Sequence, residues 1–408
     1  MKILLCHNYY QQPGGEDQVF GDEGALLESR GHEVIRYTKH NDAIERMNRL
    51  ALAGKTIWNR ESAREIRQIV LRQRPDVMHC ANTFPLISPS AYRQARKHGV
   101  AVVQTLHNYR TICPKAQFMR DAKVCESCLG KTFAWPSVVH KCYRDSRAAS
   151  LAVATMIAFH RARGTWRREV DRFIALTEFS RAKHIDGGLP ADKIDVKANF
   201  VDPDPGVGSR AGDYAVFVGR LSEEKGVQTL LAAWRQLRSD IPLKIVGDGP
   251  LAKEVQEVAA ADSRIEWLGR RDLAQVCDII GEAKCLVLPS VCYETFGRTI
   301  VEAYAKGTPV VVSQLGAMAE LVDDGRTGLL FEAGNASDLA NKVTQLVGEG
   351  SELAKFRQQA RWEYESLYTA ETNYDQLIQI YERAIDGVRA PTLVPANTNT
   401  VNQNAGVT

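Results

Sequence analysis

Short apolar runs alternate with longer amphipathic stretches along most of the chain. In the first half these runs are KILLCHN, HEVIRYT, PDVMHCAN, VAVVQTLHN, RFIALTE and KIDVKANF. In the second half they are AVFVGR, PLKIVGDG, RIEWLG, CLVLPS, TPVVVS and TGLLF. Runs of this kind, separated by helical periods, are typical of parallel strands that helices cover on both faces. The pattern therefore predicts an α/β fold with two doubly wound parallel sheets.

A segment rich in Pro and Gly, residues 203–212, lies between the two sets of runs and predicts a domain boundary. The first domain is predicted at 1–203 and the second at 204–370. A helical period follows at 371–388, and the polar, Asn-rich tail at 389–408 is predicted to be disordered. Ligands of open parallel sheets bind at the carboxyl ends of the strands, so functional residues should come directly after the runs.

The composition, with 44% hydrophobic and 25% charged residues, is that of an ordinary globular protein. The longest apolar stretch, AASLAVATMIAF at 148–159, is too short for the roughly 18 residues of a spanning helix. The N-terminus lacks the apolar core of a secretory signal. In such a chain the nine cysteines indicate reduced thiols or metal ligands. These features predict a cytoplasmic protein.

Charge is distributed unevenly between the two halves. Residues 1–205 carry 32 Lys and Arg against 22 Asp and Glu, whereas the remainder carries 20 against 27. Much of the basic excess lies between Lys141 and Lys183, around an apolar stretch and Trp166. This pattern suits an anionic membrane surface or a phosphate-bearing acceptor. A solvated helix face explains the same charges equally well.

Two carboxylates, Glu294 and Glu302, flank Phe296 and Gly297 in the stretch YETFGRTIVEAYAKGTPVVV. Eight residues of helix would separate the two acids by ~12 Å. Paired glycosidase carboxyls lie roughly 5 to 10 Å apart, so an acid and base pair is disfavoured. The spacing instead favours two groups that hold opposite ends of one hydroxyl-rich ligand, with a helix N-terminus between them that could bind an anion.

Two other strand-end loops could also bind an anion. Arg220 and Lys225 follow the run AVFVGR, and a guanidinium fork together with an ammonium group suits a pyrophosphate. Gly14 and Gly15 lie between the first strand and the first helix, where glycine lets backbone N–H groups approach a phosphate or sugar. An ordinary pair of surface cations and a plain tight turn remain the alternatives.

Two further features concern single side chains. His107 ends the run VAVVQTLHN, where either a structural or a catalytic role fits its near-neutral pKa range. Asp202 and Asp204 form a D-x-D sequence around Pro203, which binds a divalent metal in some transferases. Because this sequence falls in the Pro- and Gly-rich boundary segment, we interpret it as part of a turn.

Four cysteines, Cys113, Cys125, Cys128 and Cys142, form the pattern C-x(11)-C-x(2)-C-x(13)-C. The central C-x(2)-C is the usual spacing of a tetrahedral thiolate zinc site. His140 could replace Cys142 as the fourth ligand. Four protein ligands leave no open position, so such a zinc ion would be structural. Four unpaired or partly buried thiols are the alternative.

Together these motifs resemble a known family. The segments RLSEEKG, IVGDGP, ETFG with the second glutamate, GTPVVVS and DGRTGLLF are similar to those of the retaining glycosyltransferases of family 4. The Gly-Gly loop, His107 and the segment at 177–202 look like the same family. The resemblance runs from residue 1 to about 385. It implies the GT-B fold, in which two Rossmann-like domains face each other across a cleft.

The resemblance implies a nucleotide diphosphate sugar as co-substrate in that cleft and no catalytic metal. Glu294 would contact the donor sugar, Glu302 the ribose, and Arg220 and Lys225 the leaving diphosphate, with His107 beside the reacting sugar. These roles make His107, Arg220, Lys225 and Glu294 the implied catalytic residues. The implied donor-binding residues are Gly14, Gly15, Gly219, Arg220, Lys225, Gly247, Glu294, Thr295, Phe296, Gly297 and Glu302.

The implied activity is transfer of a sugar, with retention of configuration, to a glycan or lipid-linked glycan during cell-surface or exopolysaccharide synthesis. Peripheral contact with the plasma membrane is a further hypothesis, and no nucleic acid partner is expected. The last helix would cross back onto the first domain. The cysteine-bearing segment at 112–145 departs from the family because it is longer than in its plainest members.

Two alternative functions share the expected architecture. A nucleotide-sugar epimerase would have the same two-domain fold, and a non-catalytic protein could use an inactive transferase body to bind nucleotide sugars. The combination of R-x(4)-K-G with E-x(7)-E favours the transferase.

Overall fold

The computed structural model describes residues 1–12, 14–348 and 350–389 of the chain. The tail predicted to be disordered lies, from residue 390 onward, outside the described residues. The first half contains, in order, β1 (Lys2–Tyr9), α1 (Gly15–Ser29), β2 (Glu33–His40), α2 (Arg49–Ile57), α3 (Arg60–Gln73), β3 (Val77–Cys80), α4 (Ser90–Lys97), β4 (Ala101–Thr105), β5 (Met119–Arg120), β6 (Lys123–Val124), α5 (Trp135–Val139), α6 (Arg147–Arg163), α7 (Thr165–Arg168), β7 (Arg172–Ala175), α8 (Glu178–Asp186) and β8 (Ile194–Val196).

The second half repeats the alternation of strand and helix. Its elements are β9 (Ala215–Val218), α9 (Val227–Gln236), β10 (Leu243–Val246), α10 (Ala252–Ala261), β11 (Ile265–Gly269), α11 (Leu273–Glu282), β12 (Cys285–Leu288), α12 (Arg298–Ala305), β13 (Val310–Ser313), α13 (Ala317–Leu321), β14 (Gly328–Phe331), α14 (Ala336–Gly348), α15 (Gly350–Leu367) and α16 (Ala370–Arg389). Short 3-10 helices span Asn41–Arg46, Ala191–Lys193 and Glu223–Lys225.

The strands form two six-stranded sheets, ordered β2-β1-β3-β4-β7-β8 and β11-β10-β9-β12-β13-β14. Every pair of neighbouring strands in these sheets is parallel. Each of the apolar runs forms one of these strands. The reason is that strands covered on both faces need apolar side chains at successive positions. All four residues of β3, β12 and β13 are buried. The predicted α/β fold with two Rossmann-like sheets is confirmed.

Helix α16 packs on the first sheet and not on the second. Its buried residues Leu377, Ile380 and Tyr381 lie in one apolar cluster with Ile3 and Val103 of the central strands. The helix therefore returns to the first sheet after α15, whose Tyr364 belongs to the core of the second sheet. We call the part built on the first sheet, together with α16, the first domain. The part built on the second sheet is the second domain.

The apolar stretch at 148–159 lies in α6 and contributes to the core of the first domain. Its residues Val153, Met156 and Ile157 are buried against the first sheet together with Trp166, which is only 7% exposed. Among the described residues, no helix is both long and apolar enough to cross a membrane. The expectation that this Trp-bearing stretch offers a lipid-binding surface is therefore wrong for Trp166, because its ring is needed for core packing.

The cysteine-bearing segment contains structure that the sequence pattern did not predict. It forms the antiparallel hairpin β5–β6 and the short helix α5, both outside the main sheets. Phe118 packs against Tyr109 and Tyr293, which lie on the loops after β4 and β12. The segment therefore lies against loops at the carboxyl ends of both sheets, where the ligand site is expected.

Candidate active site

The loop between β12 and α12 places Glu294 beside Lys225. The Lys225 ammonium donates a 2.7 Å hydrogen bond to Glu294 Oε1, and the Ser290 hydroxyl donates to the same oxygen at 3.0 Å. Gly226 has a φ of +69°, and a Cβ at this residue would lie 1.8 Å from the Pro289 carbonyl oxygen. Only glycine therefore allows the two loops to approach closely enough for this ion pair.

Lys225 keeps its positive charge in this partly buried position. Burial alone would lower its pKa, but the neighbouring carboxylate of Glu294 outweighs that effect and raises the pKa. Arg220, the other predicted cation, is exposed at the rim of the same loop. The structure thus places two cations on one strand-end loop, as the sequence spacing predicted, and gives one of them a carboxylate partner.

Glu302 belongs to a second ion pair, near the start of α12. It is 7% exposed and accepts a 3.0 Å hydrogen bond from Nε of Arg298, the first residue of the helix. The helix begins at Arg298, so Glu294 lies in the preceding loop and not on the helix. The ~12 Å separation inferred for a continuous helix therefore does not apply directly. The two carboxylates belong to two separate charge clusters.

Two predicted glycines use their backbone inside the protein. The N–H of Gly219 donates to the Val246 carbonyl at 3.0 Å, and that of Gly247 donates to the Gly269 carbonyl at 2.9 Å. Gly247 has a φ of +138°, and a Cβ there would lie 1.9 Å from the Gly219 carbonyl oxygen. These glycines bring the loops after β9 and β10 together. Their N–H groups are already engaged.

Loops of the first domain meet the loop between β12 and α12. The Thr295 hydroxyl donates to the carbonyl oxygen of His107 at 2.7 Å, and the Tyr109 hydroxyl donates to the carbonyl oxygen of Glu294 at 3.2 Å. Thr177, at the start of α8, donates to the Thr295 carbonyl at 3.3 Å. The structure therefore brings His107 next to the residues predicted to bind the donor.

The His107 imidazole is held in its neutral form. Burial is the largest cause that lowers its pKa, to about 3, and the positive charges of His79, His7 and Lys197 act in the same direction when present. Its Nε2 atom is shielded and has no hydrogen-bond partner within the described residues. At physiological pH this side chain can accept or donate a hydrogen bond, but it carries no charge.

Gly14 and Gly15 begin α1 at the same edge of the first sheet. The Gly14 N–H donates to Asp17 at 2.8 Å, which caps the helix. A Cβ on Gly15 would lie 3.8 Å from Arg298 Cδ, so α1 of the first domain faces α12 of the second. Arg298 also donates a 2.8 Å hydrogen bond to Asp22 of α1. The two helices are thus joined by an ion pair across the cleft.

Sequence reasoning missed Glu16, which directly follows the glycine pair. Its Oε2 accepts hydrogen bonds from the Tyr10 hydroxyl at 3.2 Å and from the Asn108 amide at 3.4 Å. Its Oε1 is shielded and has no partner within the described chain. Burial, with Asp17 as the next largest cause, raises the pKa of Glu16 to about 8. An acid at the start of a helix beside a Gly-Gly pair was a visible signal.

A small cavity of about 50 Å³, with a lining of mixed apolar and polar side chains, lies beside His107. It is lined by Asn108, Arg110 and Thr111, among others, and the Arg110 guanidinium lies 4.4 Å above the Phe84 ring. The Thr111 hydroxyl is shielded and has no partner within the described residues. Unpaired polar atoms beside an aromatic ring suit a hydroxyl-bearing ligand.

The four cysteines lie near one another but are not assembled as ligands. All are free thiols, and Cys113 is buried while Cys125, Cys128 and Cys142 are half-buried. Burial, followed by the charges that the neighbouring thiols would carry, raises the pKa of Cys128 to about 12. In the described part of the chain, no group of three or more His, Cys, Asp or Glu side chains is placed to hold a metal ion.

The D-x-D sequence lies in a turn, as the boundary position predicted. The Gly206 N–H donates to Asp204 Oδ1 at 2.9 Å, which closes the turn. The Arg361 guanidinium, from α15, donates to both oxygens of Asp204 at 2.8 and 2.6 Å. The carboxylate of Asp204 thus ties the boundary segment to the second domain.

Comparisons with known proteins agree with this geometry. The profile of Glycosyltransferase Family 4 matches residues 13–205, and that of Glycosyl transferases group 1 matches residues 212–349. The chain belongs to glycosyltransferase family 4. It is 33% identical over 179 residues to a glycosyltransferase of Methanocaldococcus jannaschii, a match that covers 43% of this chain and 50% of the relative. It is 29% identical over 326 residues to a GDP-mannose-dependent alpha-mannosyltransferase of Corynebacterium glutamicum, covering 78% and 70%.

Solved structures confirm the GT-B architecture of this family 4 glycosyltransferase. Anabaena HepE in complex with UDP superposes with a TM-score of 0.67 at 19% identity, covering 94% of this chain and 100% of that chain. The sucrose-phosphate synthase of Thermosynechococcus elongatus superposes with a TM-score of 0.70 at 17% identity, covering 95% and 99%. At this level of identity the likeness concerns the fold alone.

The buried carboxyl of Glu16 predicts a pH-dependent stability. Its pKa of about 8 lies above the usual 4.5, so the folded state binds more protons between these values and loses stability as the pH rises through this range. Glu16→Gln removes this loss and keeps a carbonyl acceptor for Tyr10 and Asn108. We expect the variant to melt a few degrees higher than the parent at about pH 8.5, and at a similar temperature at about pH 5.

Thermal unfolding followed by circular dichroism across this pH range checks the prediction. Glu45→Gln is the matched control, because Glu45 is exposed on the 3-10 helix Asn41–Arg46 and its side chain bonds only Gln11 among the described residues. The control should show no pH-dependent difference. An equal difference between Glu16→Gln and the parent at both pH values would contradict the raised pKa.

Proposed function

We propose that the protein transfers a sugar from a nucleotide diphosphate sugar to a hydroxyl group of a glycan acceptor, with retention of anomeric configuration. The observation that carries the proposal is the Lys225–Glu294 ion pair. Glu294 lies in the loop that precedes α12, and the same loop contacts the His107 loop of the first domain through Thr295. A cation, a carboxylate and a helix N-terminus at one point are the groups that a sugar diphosphate requires.

Each donor group would have a partner of matching chemistry. Glu294 would accept hydrogen bonds from sugar hydroxyls, and the N–H groups of Phe296 and Gly297 would hold the sugar or a phosphate oxygen. Glu302 would bind the ribose hydroxyls. Arg220 and Lys225 would balance the charge that develops on the leaving diphosphate, a task for which fixed cations are effective.

The transfer step needs no protein nucleophile. The acceptor oxygen forms a bond to the anomeric carbon while the bond from that carbon to the phosphate oxygen breaks. The electron pair leaves with the diphosphate, and the acceptor proton passes to the departing phosphate oxygen. His107, neutral and beside the reacting sugar, would hold a hydroxyl group of one of the two substrates.

The donors named for similar proteins indicate which nucleotide sugars to test first. The Corynebacterium glutamicum relative is named for GDP-mannose, and Anabaena HepE is known in complexes with UDP and with UDP-glucose. We propose a cell-surface or exopolysaccharide acceptor, and the excess of basic residues in the first domain supports it.

A panel of nucleotides and nucleotide sugars tests the donor proposal. We expect UDP or GDP, and the matching sugar nucleotide, to raise the melting temperature, because a ligand of the native state stabilises it by mass action. Glu294→Gln should keep the shift caused by the nucleoside diphosphate but lose the additional shift caused by the sugar. It should also lower the release of nucleotide during turnover by about tenfold or more.

Glu257→Gln is the matched control, because Glu257 forms an exposed pair with Lys253 in the same domain. It should behave like the parent. Conversion of the donor to another sugar nucleotide without acceptor would indicate an epimerase instead. Unchanged turnover in Glu294→Gln would contradict the proposed site, and nucleotide binding without any turnover would indicate a non-catalytic protein.

We also propose a structural zinc ion at Cys113, Cys125, Cys128 and Cys142. The C-x(2)-C spacing, the proximity of the four free thiols and the positive φ of Gly130, two residues after Cys128, support it. We expect elemental analysis of protein purified under reducing conditions to find about one zinc per chain. Cys125→Ser should lose the metal and lower the melting temperature.

Cys277→Ser is the control for the zinc prediction, since Cys277 lies on α11, away from the other four. It should retain the metal. Less than about a tenth of a zinc ion per chain in protein produced with zinc present would refute the zinc site.

A third proposal concerns peripheral contact with anionic membranes. Although Trp166 is buried, Trp135 and Val139 of α5 are 55% and 53% exposed, and the Lys131 ammonium lies 5.8 Å above the Trp135 ring. An exposed aromatic residue with basic neighbours suits a lipid interface. The protein should float with vesicles that contain anionic lipid at low salt, and Trp135→Ser should weaken this binding severalfold.

Trp362→Ser is the matched control, because Trp362 is 53% exposed on the second domain. It should bind vesicles like the parent. Absence of vesicle binding at low salt, or an equal loss in both variants, would contradict the membrane proposal.

A further inference from the structure

Arg298 carries a hydrogen-bonding group that nothing in the described chain satisfies. Its Nε donates to Glu302 at 3.0 Å and its Nη2 donates to Asp22 at 2.8 Å. The third nitrogen, Nη1, is shielded from solvent and has no partner within the described residues. The side chain is only 11% exposed. A shielded N–H group without an acceptor costs free energy, so this nitrogen indicates a missing ligand.

The surroundings of Arg298 favour an anion. Arg298 is the first residue of α12, and a Cβ on Gly15, the first residue of α1, would lie 3.8 Å from its Cδ atom. Two helix N-termini, one from each domain, therefore point toward the same region of the cleft. Each carries backbone N–H groups and a partial positive charge, although α1 also has Glu16 and Asp17 in its first turn. The charge of Arg298 is balanced by Asp22 and Glu302, so its contribution to binding an anion is the free donor of its planar fork.

We propose that Arg298 is a further ligand of the donor diphosphate and that Asp22, from the other domain, orients it for that contact. The inference rests on the proposed function and adds a cation that the sequence motifs did not include. Nη1 binds a phosphate oxygen, while Nε and Nη2 keep their carboxylate partners.

The bond to Asp22 links this contact to the first domain. Asp22 lies on α1 of the first domain and Arg298 on α12 of the second, so a carboxylate from the opposite side of the cleft orients the guanidinium. Asp22 acts as a positioning residue because it orients the guanidinium and contacts no donor atom.

A simpler role must be separated from this one. Arg298, Asp22 and Glu302 could form an ion cluster that only holds the domains together. In that case Arg298 affects nucleotide binding only through its bond to Asp22. Changing Arg298 then has no further effect on the affinity once Asp22 has been changed. If Nη1 binds the diphosphate, changing Arg298 still weakens nucleotide binding in a chain that lacks the Asp22 charge.

Isothermal titration with UDP, GDP, uridine and guanosine tests the proposal in a double-mutant cycle. We expect Arg298→Gln to weaken binding of the nucleoside diphosphate that the parent binds by about tenfold or more, the range of a charge-assisted hydrogen bond. Binding of the nucleoside without phosphates should stay unchanged. The affinity of Arg298→Lys for the nucleoside diphosphate should lie between that of the parent and that of Arg298→Gln. The loss should persist at a factor of at least about five in the Asp22→Asn background.

Arg326→Gln is the matched control. Arg326 also pairs with two carboxylates, Asp323 and Glu363, but within the second domain. It should leave nucleotide affinity unchanged. Melting temperatures without ligand confirm that each variant is folded, and Arg298→Lys keeps the charge if Arg298→Gln is unstable.

Three results would overturn the proposal. The first is equal diphosphate affinity in the parent and in Arg298→Gln. The second is a loss that disappears in the Asp22→Asn background, which would indicate a latch between domains only. The third is an equal loss for the nucleoside, which would place the effect at Glu302 and the ribose. If the parent binds neither UDP nor GDP, the proposed function itself fails, an outcome distinct from these three.

Discussion

The site depends on the contact between the loop ahead of α12 and the strand-end loops of the first sheet. Parallel strands place all their carboxyl ends at one edge of a sheet, so each sheet offers a single row of loops. Here the two rows meet through Thr295 and His107, through Tyr109 and the Glu294 carbonyl, and through Arg298 and Asp22. A further contact joins the two rows of loops. The Glu320 carboxylate accepts hydrogen bonds from the backbone N–H groups of Glu178 and Phe179 at the start of α8. These contacts define the cleft in which the candidate residues lie.

The charges in this cleft are arranged as small clusters of opposite sign. Lys225 is held by Glu294, and Arg298 is shared by Asp22 and Glu302. Behind them, Lys197 and Glu23 form a pair of which both members are almost fully buried. Buried ion pairs are costly to desolvate and are weak sources of stability, so their concentration at one place favours a functional explanation over a structural one. A diphosphate sugar would use both the cations and the carboxylates of these clusters.

The cysteine-bearing segment packs against loops that form the same site. Phe118 packs against Tyr109 and Tyr293, which adjoin His107 and Glu294 in the chain, and Glu126 pairs with Lys183 of α8 at 2.8 Å. The segment thus supports the first-domain loop and the second-domain loop together. Order in this segment therefore affects the geometry of the cleft.

The amphipathic and apolar periods of the sequence were enough to predict the twelve main strands, the α/β class and the loops that carry Lys225, His107 and Glu294. The physical reason is that a strand covered on both faces must be apolar at successive positions, and that loops at its carboxyl end are where ligands bind. The Arg298–Glu302 pair was also visible, as an i,i+4 spacing on a helix. Such patterns involve residues that are close together in the chain, so they can be recognised without knowledge of the fold.

Other features were decided only by the tertiary structure. Asp22 is 276 residues from Arg298, and no local pattern relates them. Trp166 has basic neighbours in the sequence, a pattern that suits a membrane surface, yet packing against the first sheet buries its ring. The raised pKa of Glu16 depends first on its burial, which outweighs the hydrogen bonds from Tyr10 and Asn108 that lower the pKa. Sequence periodicity determines which residues are apolar and which begin or end an element. Distances between residues far apart in the chain, and the desolvation of the charges they carry, arise only when the two domains meet.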